Sequence, residues 1–360
     1  MAERLKDLYM TPKSISAFTN LFVRFYPGFD QERFLELVLD DEWESRELKQ
    51  RMRHSTLSLH EVLPSDYERA LEILYRVAPH VRGFEAMVPP DYVEVYGMED
   101  WDRSLPALGY FTRFSSSEFA VRPFLKQDPG KVMAWMLEWA EDPDDKVRRF
   151  ASEGCRPRLP WAMALPAFKR DPRPILPVLE KLKDDESETV RRSVANNLND
   201  ISKDNPELML EVGERWYGKS ERTDWIVKHA CRSLLKAGNR RALRLFGHGD
   251  PADVRIENFR LGRDAVTIGD TLPFSFTMTV GGNRPIRVRI EYRMDFARPG
   301  GKSARKIFKL TEKEFTPGEF ALARKYAFVD MSTRKHYPGT HRLSLLVNGE
   351  EKASVSFELV

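Results

Sequence analysis

The chain has 360 residues, 41 % hydrophobic and 31 % charged. That is enough apolar material for about two folded domains and excludes a wholly disordered chain. No run of about 18 apolar residues occurs, so a membrane-spanning helix is excluded, and the charges scattered through MAERLKDLYMTPKSISAFTNLF lead us to expect no secretory leader. The net charge of +3 hides a gradient: residues 1–110 hold 13 Lys+Arg against 20 Asp+Glu (−7), residues 111–250 hold 26 against 22 (+4), and residues 251–360 hold 19 against 13 (+6). A polyanionic partner is therefore compatible with the last two thirds.

Residues 1–248 predict helices. Apolar residues recur at helical spacing in Phe34, Leu35, Val38, Leu39 and in Ala70, Leu71, Leu74, Val77. Pro64, Pro79, Pro89, Pro90, Pro106, Pro129, Pro143 and Pro206 punctuate this pattern, where they would start or stop helices of about 12–20 residues. Short connections suit stacked antiparallel pairs. Val followed by Arg or Lys opens an apolar stretch at Val121-Arg122, Val147-Arg148, Val190-Arg191 and Val227-Lys228. The spacings of 26, 43 and 37 residues bracket the period of about 40 of HEAT-type helical repeats. Two copies follow an acidic turn, DPDDKVRR and DDESETVRR, whose carboxylates cap free N–H groups and meet the positive end of the helix dipole. An irregular helical domain is the alternative; the joint recurrence of turn and Val-Arg favours a solenoid.

Two segments stand out. In residues 148–161, RRFASEGCRPRLPW, four arginines, one carboxylate and one indole follow each other. A helix ends near Gly154, and Pro157 and Pro160 predict an extended segment presenting Arg156, Arg158 and Trp161. Such groups bind phosphate, stabilise a cation and stack on a base or sugar; a solvated helix end with Trp161 plugging the next repeat is the plainer account. In residues 193–206, SVANNLNDISKDNP, the three Asn inside the apolar helical pattern (Asn196, Asn197 and Asn199) are poor helix formers whose amides need partners if buried. Phosphates and a neighbouring repeat's backbone would both serve.

Composition changes at FGHGDPADV, where Gly247, Gly249 and Pro251 mark a linker. Short alternating strands then follow: 254–259, 274–280, 286–292, 307–310, 320–328, 341–347 and 353–359, with turns at Gly281-Gly282 and Asn348-Gly349. This reads as an immunoglobulin-like sandwich over residues 252–360. Between Gly281 and Lys313 lie ten Lys+Arg and three Asp+Glu. The Gly300-Gly301-Lys302 tip, with Arg305 and Lys306, suits close approach to phosphates or a groove, or protection of an edge strand by charge.

Several chemistries find no support. There is no phosphate-binding glycine loop and no nucleophile elbow. The seven His are scattered, so no metal and no cofactor are expected. Cys155 and Cys231 stand far apart without a C-x-x-C, which speaks against a disulfide framework and a thiolate zinc finger and suits a reducing cytosol.

The segments SSSEFAVRPF (115–124), ASEGCRPRLPW (151–161), SVANNLNDISKDNP (193–206), KHACRSLLKAGN (228–239) and MDFARPGGKSARKIFKL (294–310) resemble the AlkC branch of the AlkD-like alkylpurine DNA glycosylases, over essentially the whole chain. The resemblance implies an α solenoid of HEAT-like repeats (1–248) that binds DNA and carries catalysis, followed by the sandwich with a DNA-contacting loop. It implies a monofunctional enzyme that removes cationic alkylated bases, typically 3-methyladenine, from duplex DNA without deep base flipping. By motif position its catalytic residues fall on Glu118, Glu153 and Trp161. DNA contacts are expected from Arg149, Arg156, Arg158, Arg191, Asn196, Asn197, Lys228, His229, Lys302, Arg305 and Lys306. A monomer acting in the cytoplasm is expected. A non-enzymatic DNA-damage clamp and a protein-binding scaffold are the rival readings.

Overall fold

The computed structural model describes residues 8–330 and 335–360. Its described residues form sixteen α-helices and then eight strands. The helices are α1 (Pro12–Phe25), α2 (Gln31–Val38), α3 (Leu48–His60), α4 (Tyr67–Val77), α5 (Val88–Tyr96), α6 (Trp101–Phe111), α7 (Arg122–Gln127), α8 (Pro129–Trp139), α9 (Asp145–Gly154), α10 (Pro166–Arg170), α11 (Leu176–Leu182), α12 (Glu188–Asp204), α13 (Pro206–Trp216), α14 (Glu221–Ala230), α15 (Arg232–Lys236) and α16 (Arg240–Leu245). Two compact units result: one runs through Met209 and includes Trp216–Ala230, the other comprises Leu210–Arg215 and Cys231–Val360.

In the helical unit the starts of the helices follow from the sequence. Asp30, Asp66, Asp100, Asp128 and Asp144 each accept an amide of the first turn of α2, α4, α6, α8 and α9, satisfying a donor that the helix cannot. Pro129 and Pro206 open α8 and α13, and Pro89 and Pro90 sit in the first turn of α5. Pro106 departs from expectation, lying inside α6 rather than at an end. Most helices are also shorter than expected, with α12 the longest at 17 residues.

The recurring Val-Arg pair has a packing explanation. Val147 and Val190 are fully buried. Arg148 Nη1 donates to the carbonyls of Asp142 and Pro143, each at 3.0 Å, in the turn before its own helix, and its Nε and Nη2 grip Asp185 of the next turn. Arg191 donates to the carbonyls of Asp185 and Glu186 in the same way. Each arginine thus closes one acidic turn, and Arg148 ties it to the following one. These repeats set α9, α12 and α14 side by side, with α12 packed against both neighbours.

The second unit is a sandwich of two sheets, β1-β3-β6 and β2-β8-β7-β4-β5, built from β1 (Val254–Leu261), β2 (Ala265–Val266), β3 (Thr271–Val280), β4 (Ile286–Ala297), β5 (Ser303–Phe315), β6 (Gly318–Ala327), β7 (Gly339–Val347) and β8 (Glu350–Leu359). Alternation is clearest on β3, where Leu272, Phe274, Phe276, Met278 and Val280 face the core. Asn348 (φ 44°) and Gly349 (φ 80°) make the tight turn between β7 and β8. A Cβ on Gly349 would come within 2.4 Å of the Gly238 backbone, so glycine is required there for contact as well as for φ.

The glycine-rich segment near residue 248 is not a free linker. Gly249 N–H donates to the Arg287 carbonyl (3.0 Å), Asn348 Nδ2 donates to the Gly249 carbonyl (2.7 Å), and the His248 side chain is buried. Residues 231–253, with α15 and α16, and Leu210–Arg215 belong with the strands to the second compact unit. The two-residue β2 was also absent from the sequence pattern; it pairs in parallel with β8.

Candidate active site

Glu118 lies in the turn after α6, and Glu153 lies in the last turn of α9. They are 35 residues apart in sequence, yet one guanidinium spans them: Arg149 Nη1 is 3.1 Å from Glu118 Oε2 and Nη2 is 3.8 Å from Glu153 Oε1. Arg149 and Glu153 share a face because they are four apart on α9. Burial pushes the Glu118 carboxyl above the ordinary range, although Arg149 opposes this. Burial works against the charge on Arg149, but Glu118 and Glu153 outweigh it and raise its pKa.

The second half of the cluster comes from α12. Ser193 Oγ donates to Glu153 Oε2 (2.6 Å), Asn197 Nδ2 donates to the Ser152 carbonyl (2.8 Å), and Asp200 accepts Arg156 Nε (3.0 Å). Residues 193, 197 and 200 follow the i, i+4, i+7 rule, so one polar stripe of α12 docks on α9. Arg156 Nη1 also donates to Glu153 Oε1 (2.6 Å), which fixes that carboxylate from two sides. Glu118, Glu153 and Asp200 stand against Arg149, Arg156 and Lys203, whose Nζ is 3.1 Å from Asp200 Oδ1, so the cluster is balanced in charge. Asp200 and Ser193 were not singled out from the sequence; their spacing, aligned with Asn197, was the available signal.

Trp161 follows α9 in the loop 155–165. Its side chain is 61 % exposed, and its φ is +64°. A non-glycine residue in this region costs on the order of 1–3 kcal/mol and persists only where its surroundings hold it. Trp161 is thus presented to solvent and does not plug a repeat, as the alternative reading would have it. The loop also buries Arg156 rather than presenting it, and Arg158 is paired with Asp204 (2.6 Å).

Three comparisons place the chain. The Ig-like C-terminal domain family described from the uncharacterised protein YhaZ matches residues 255–360. YhaZ of Bacillus subtilis (strain 168) is 46 % identical over 356 residues, covering 99 % of both chains. The structure of Pseudomonas fluorescens alkylpurine DNA glycosylase AlkC, bound to DNA containing an abasic site analog, superposes with a TM-score of 0.93 at 39 % identity, covering 99 % of this chain and 100 % of that one. The chain belongs to the AlkC family of alkylpurine DNA glycosylases. Its helical repeats followed by an immunoglobulin-like sandwich are the AlkC architecture.

Within this AlkC-type chain the remaining candidates separate by accessibility. Asn197 is fully buried between α9 and α12, so its place as a DNA contact is corrected. Arg156, 7 % exposed and held by two carboxylates, is likewise an internal cation. Arg191 spends Nη1 on turn carbonyls. Asn196 faces α14, with its Oδ1 3.3 Å from His229 Nε2, and His229 stacks on the exposed Trp225 at 5.1 Å between ring centres. Lys228 is exposed on α14. In the sandwich unit, Lys302, Arg305 and Lys306 are exposed, and Arg305 Nε pairs with Asp295 at 2.8 Å. Among the described residues no group of His, Cys, Asp and Glu is arranged to hold a metal ion, and no helix is long and apolar enough to cross a membrane.

Proposed function

We propose that Glu118 and Glu153 form the catalytic centre of a monofunctional glycosylase that releases cationic alkylated bases, 3-methyladenine foremost, from duplex DNA. The observation that carries this reading is the pairing of two carboxylates across Arg149. An N3-alkylated purine already carries positive charge, so its glycosidic bond breaks without a strong general acid. Negative charge is needed near the deoxyribose, where oxocarbenium character develops, together with a placed water. Glu153, clamped by Arg156 and Ser193, supplies fixed charge; Glu118, held by one arginine, orients the water. The exposed Trp161 offers its face to the sugar or base cation. The one lysine bonded into the cluster, Lys203, is held as an ammonium by Asp200 (3.1 Å), a poor starting point for a Schiff base, and this supports base release without strand cleavage.

The exposure of Trp161 supports attack on a lesion that is not drawn into a deep pocket. Lys228, His229, Arg158 and the Lys302–Lys306 segment supply phosphate contacts in this reading. The cluster is complete within one chain, which supports a monomer, and chromosomal DNA as substrate supports action in the cytoplasm.

Single-turnover release of free base from N-methylated duplex DNA tests the proposal. Wild-type protein should release 3-methyladenine and leave uracil untouched, because uracil is not a cation. Binding of methylated DNA without base release would favour a damage-binding clamp instead. Rapid uracil excision would require a different site, with a buried specificity pocket.

A further inference from the structure

Arg122, at the start of α7, is fully buried. Its Nε donates to the Met163 carbonyl (2.6 Å) and its Nη1 to the Gly154 carbonyl (3.0 Å). These two carbonyls bracket the loop that carries Trp161: Gly154 follows Glu153 directly, and Met163 lies two residues beyond the indole. No carboxylate accepts from this guanidinium, and its Nη2 has no hydrogen-bond partner among the described residues. Burial accordingly pulls its pKa down to about 10. A buried cation that meets only backbone carbonyls is a poor way to stabilise a core, so its retention calls for another reason.

A second cation holds the same loop from outside. Lys49 Nζ donates to the Trp161 carbonyl (2.8 Å) and lies 4.3 Å from the centre of the Phe119 ring, next in sequence to Glu118. The Leu165 N–H closes the loop on the Pro157 carbonyl (3.1 Å). Trp161 thus keeps a left-handed backbone because Arg122, Lys49 and this closure leave it no alternative.

We infer that Arg122 is a positioning residue, with Lys49 as its auxiliary, that sets the exposed indole of Trp161 at a fixed distance from Glu153 and Glu118. The role rests on the reading of Trp161 as a contact to the lesion. Arg122 meets the end of the helix bearing Glu153, and Lys49 meets the ring beside Glu118, so both cations gauge the loop against the catalytic carboxylates. An indole that must meet a cationic sugar in one place gains from this, since a displacement of about 1 Å costs a rate on the order of 10²-fold.

The test is a double-mutant cycle read by single-turnover base release at saturating enzyme. Arg122→Met should slow release by about 10- to 100-fold, and Arg122→Lys should recover part of the loss. In a Trp161→Ala background, Arg122→Met should add less than about 2-fold, because its effect passes through the indole. An equal loss in both backgrounds would make Arg122 a general core residue and overturn the inference. Lys49→Ala, which leaves the core untouched, should show the same non-additivity with a smaller loss and serves if Arg122→Met does not fold. A DNA-free measurement separates this inference from the reading beneath it. The emission that distinguishes wild type from Trp161→Phe should become more quenchable by acrylamide in Lys49→Ala and Arg122→Lys. Unchanged quenching would overturn positioning even if Trp161 proves essential. A wild-type rate for Trp161→Ala would overturn its role in catalysis while leaving the loop geometry to be judged by quenching.

Discussion

The α9–α12 seam and the basic start of β5 (Lys302–Lys306) are both rich in charge, yet they use it in opposite ways. In the seam, Glu153 and Asp200 are buried, and one arginine grips both. At the start of β5, Lys302, Arg305 and Lys306 lie in solvent, with Arg305 opposite Asp295 and Lys306 opposite Met294 of β4. Buried pairs are screened little by salt and act as one unit, whereas exposed cations act singly and are screened within about 10 Å. The comparison teaches that the same residue types can make geometry in one unit and field in the other.

The largest expected effect breaks the seam. Glu153→Gln keeps an oxygen for Arg156 while removing the charge, and its amide NH2 faces Ser193 Oγ, which can turn to accept, so the fold should survive. Base release should slow on the order of 10²–10³-fold, the scale of losing one aimed electrostatic contact. Glu118→Gln should act similarly, and the double variant should lose less than the product of the two, because Arg149 joins them. Wild-type single-turnover rates in both variants would remove the carboxylates from the mechanism.

Next in size is the start of β5. Each phosphate contact contributes about one unit to the salt slope of binding. Neutralising Lys302, Arg305 and Lys306 should flatten that slope by up to about three units, equivalent to roughly a 40-fold change in relative affinity between 50 and 200 mM salt. Arg305 is partly spent on Asp295, so its single substitution should matter least. An unchanged slope in the triple variant would mean that this segment does not meet phosphate.

How much of this was legible in the sequence differs between the same two regions. Strands β1, β3 and β4 through β8 announce themselves by alternation, since one side of each sheet is core. The helical turns were legible because Asp at a helix start has one physical use. The seam was only half legible. Asn196, Asn197 and Asn199 signalled something unusual, but the partner could not be read locally: Asn197 bonds the Ser152 carbonyl, while Asn199 bonds the Ala230 carbonyl. Whether a polar residue faces a phosphate or a neighbouring helix depends on packing between repeats about 40 residues apart. For the same reason Arg122 looked like one more Val-Arg repeat, although its burial and partners differ from those of Arg148 and Arg191. The fixed state of the segment at Gly249 was not legible either, because glycine there serves docking on β4 and composition does not distinguish a docked segment from a loose one.

Asn197 offers a stability measurement that sharpens the contrast. Asn197→Ala would leave the Ser152 carbonyl without its donor and a small void between α9 and α12. A loss of about 2 kcal/mol in unfolding free energy is expected, with the salt slope of DNA binding unchanged. If the slope fell by one unit at constant stability, Asn197 would be a phosphate contact after all.

The smallest effect expected near neutral pH concerns Glu118, and its sign can be worked out. In the mechanism we propose, Glu118 is ionised to orient water and oppose developing positive charge. Burial raises its pKa above the ordinary glutamate value, with Arg149 pulling the other way. As pH falls through that raised value the carboxylate takes up a proton, so the acid limb of the single-turnover rate should begin above the range of an exposed glutamate. Removing the opposing cation with Arg149→Met should move the limb further up, because burial then acts alone. Glu118→Gln should abolish this limb and leave a slower, flatter profile. An exposed cation cannot produce such a shift, so neutralising Lys302 should leave the limb where it is. If the limb stays put in Arg149→Met and Glu118→Gln alike, the titrating group lies elsewhere, and the coupling of Glu118 to Glu153 through Arg149 is structural rather than catalytic.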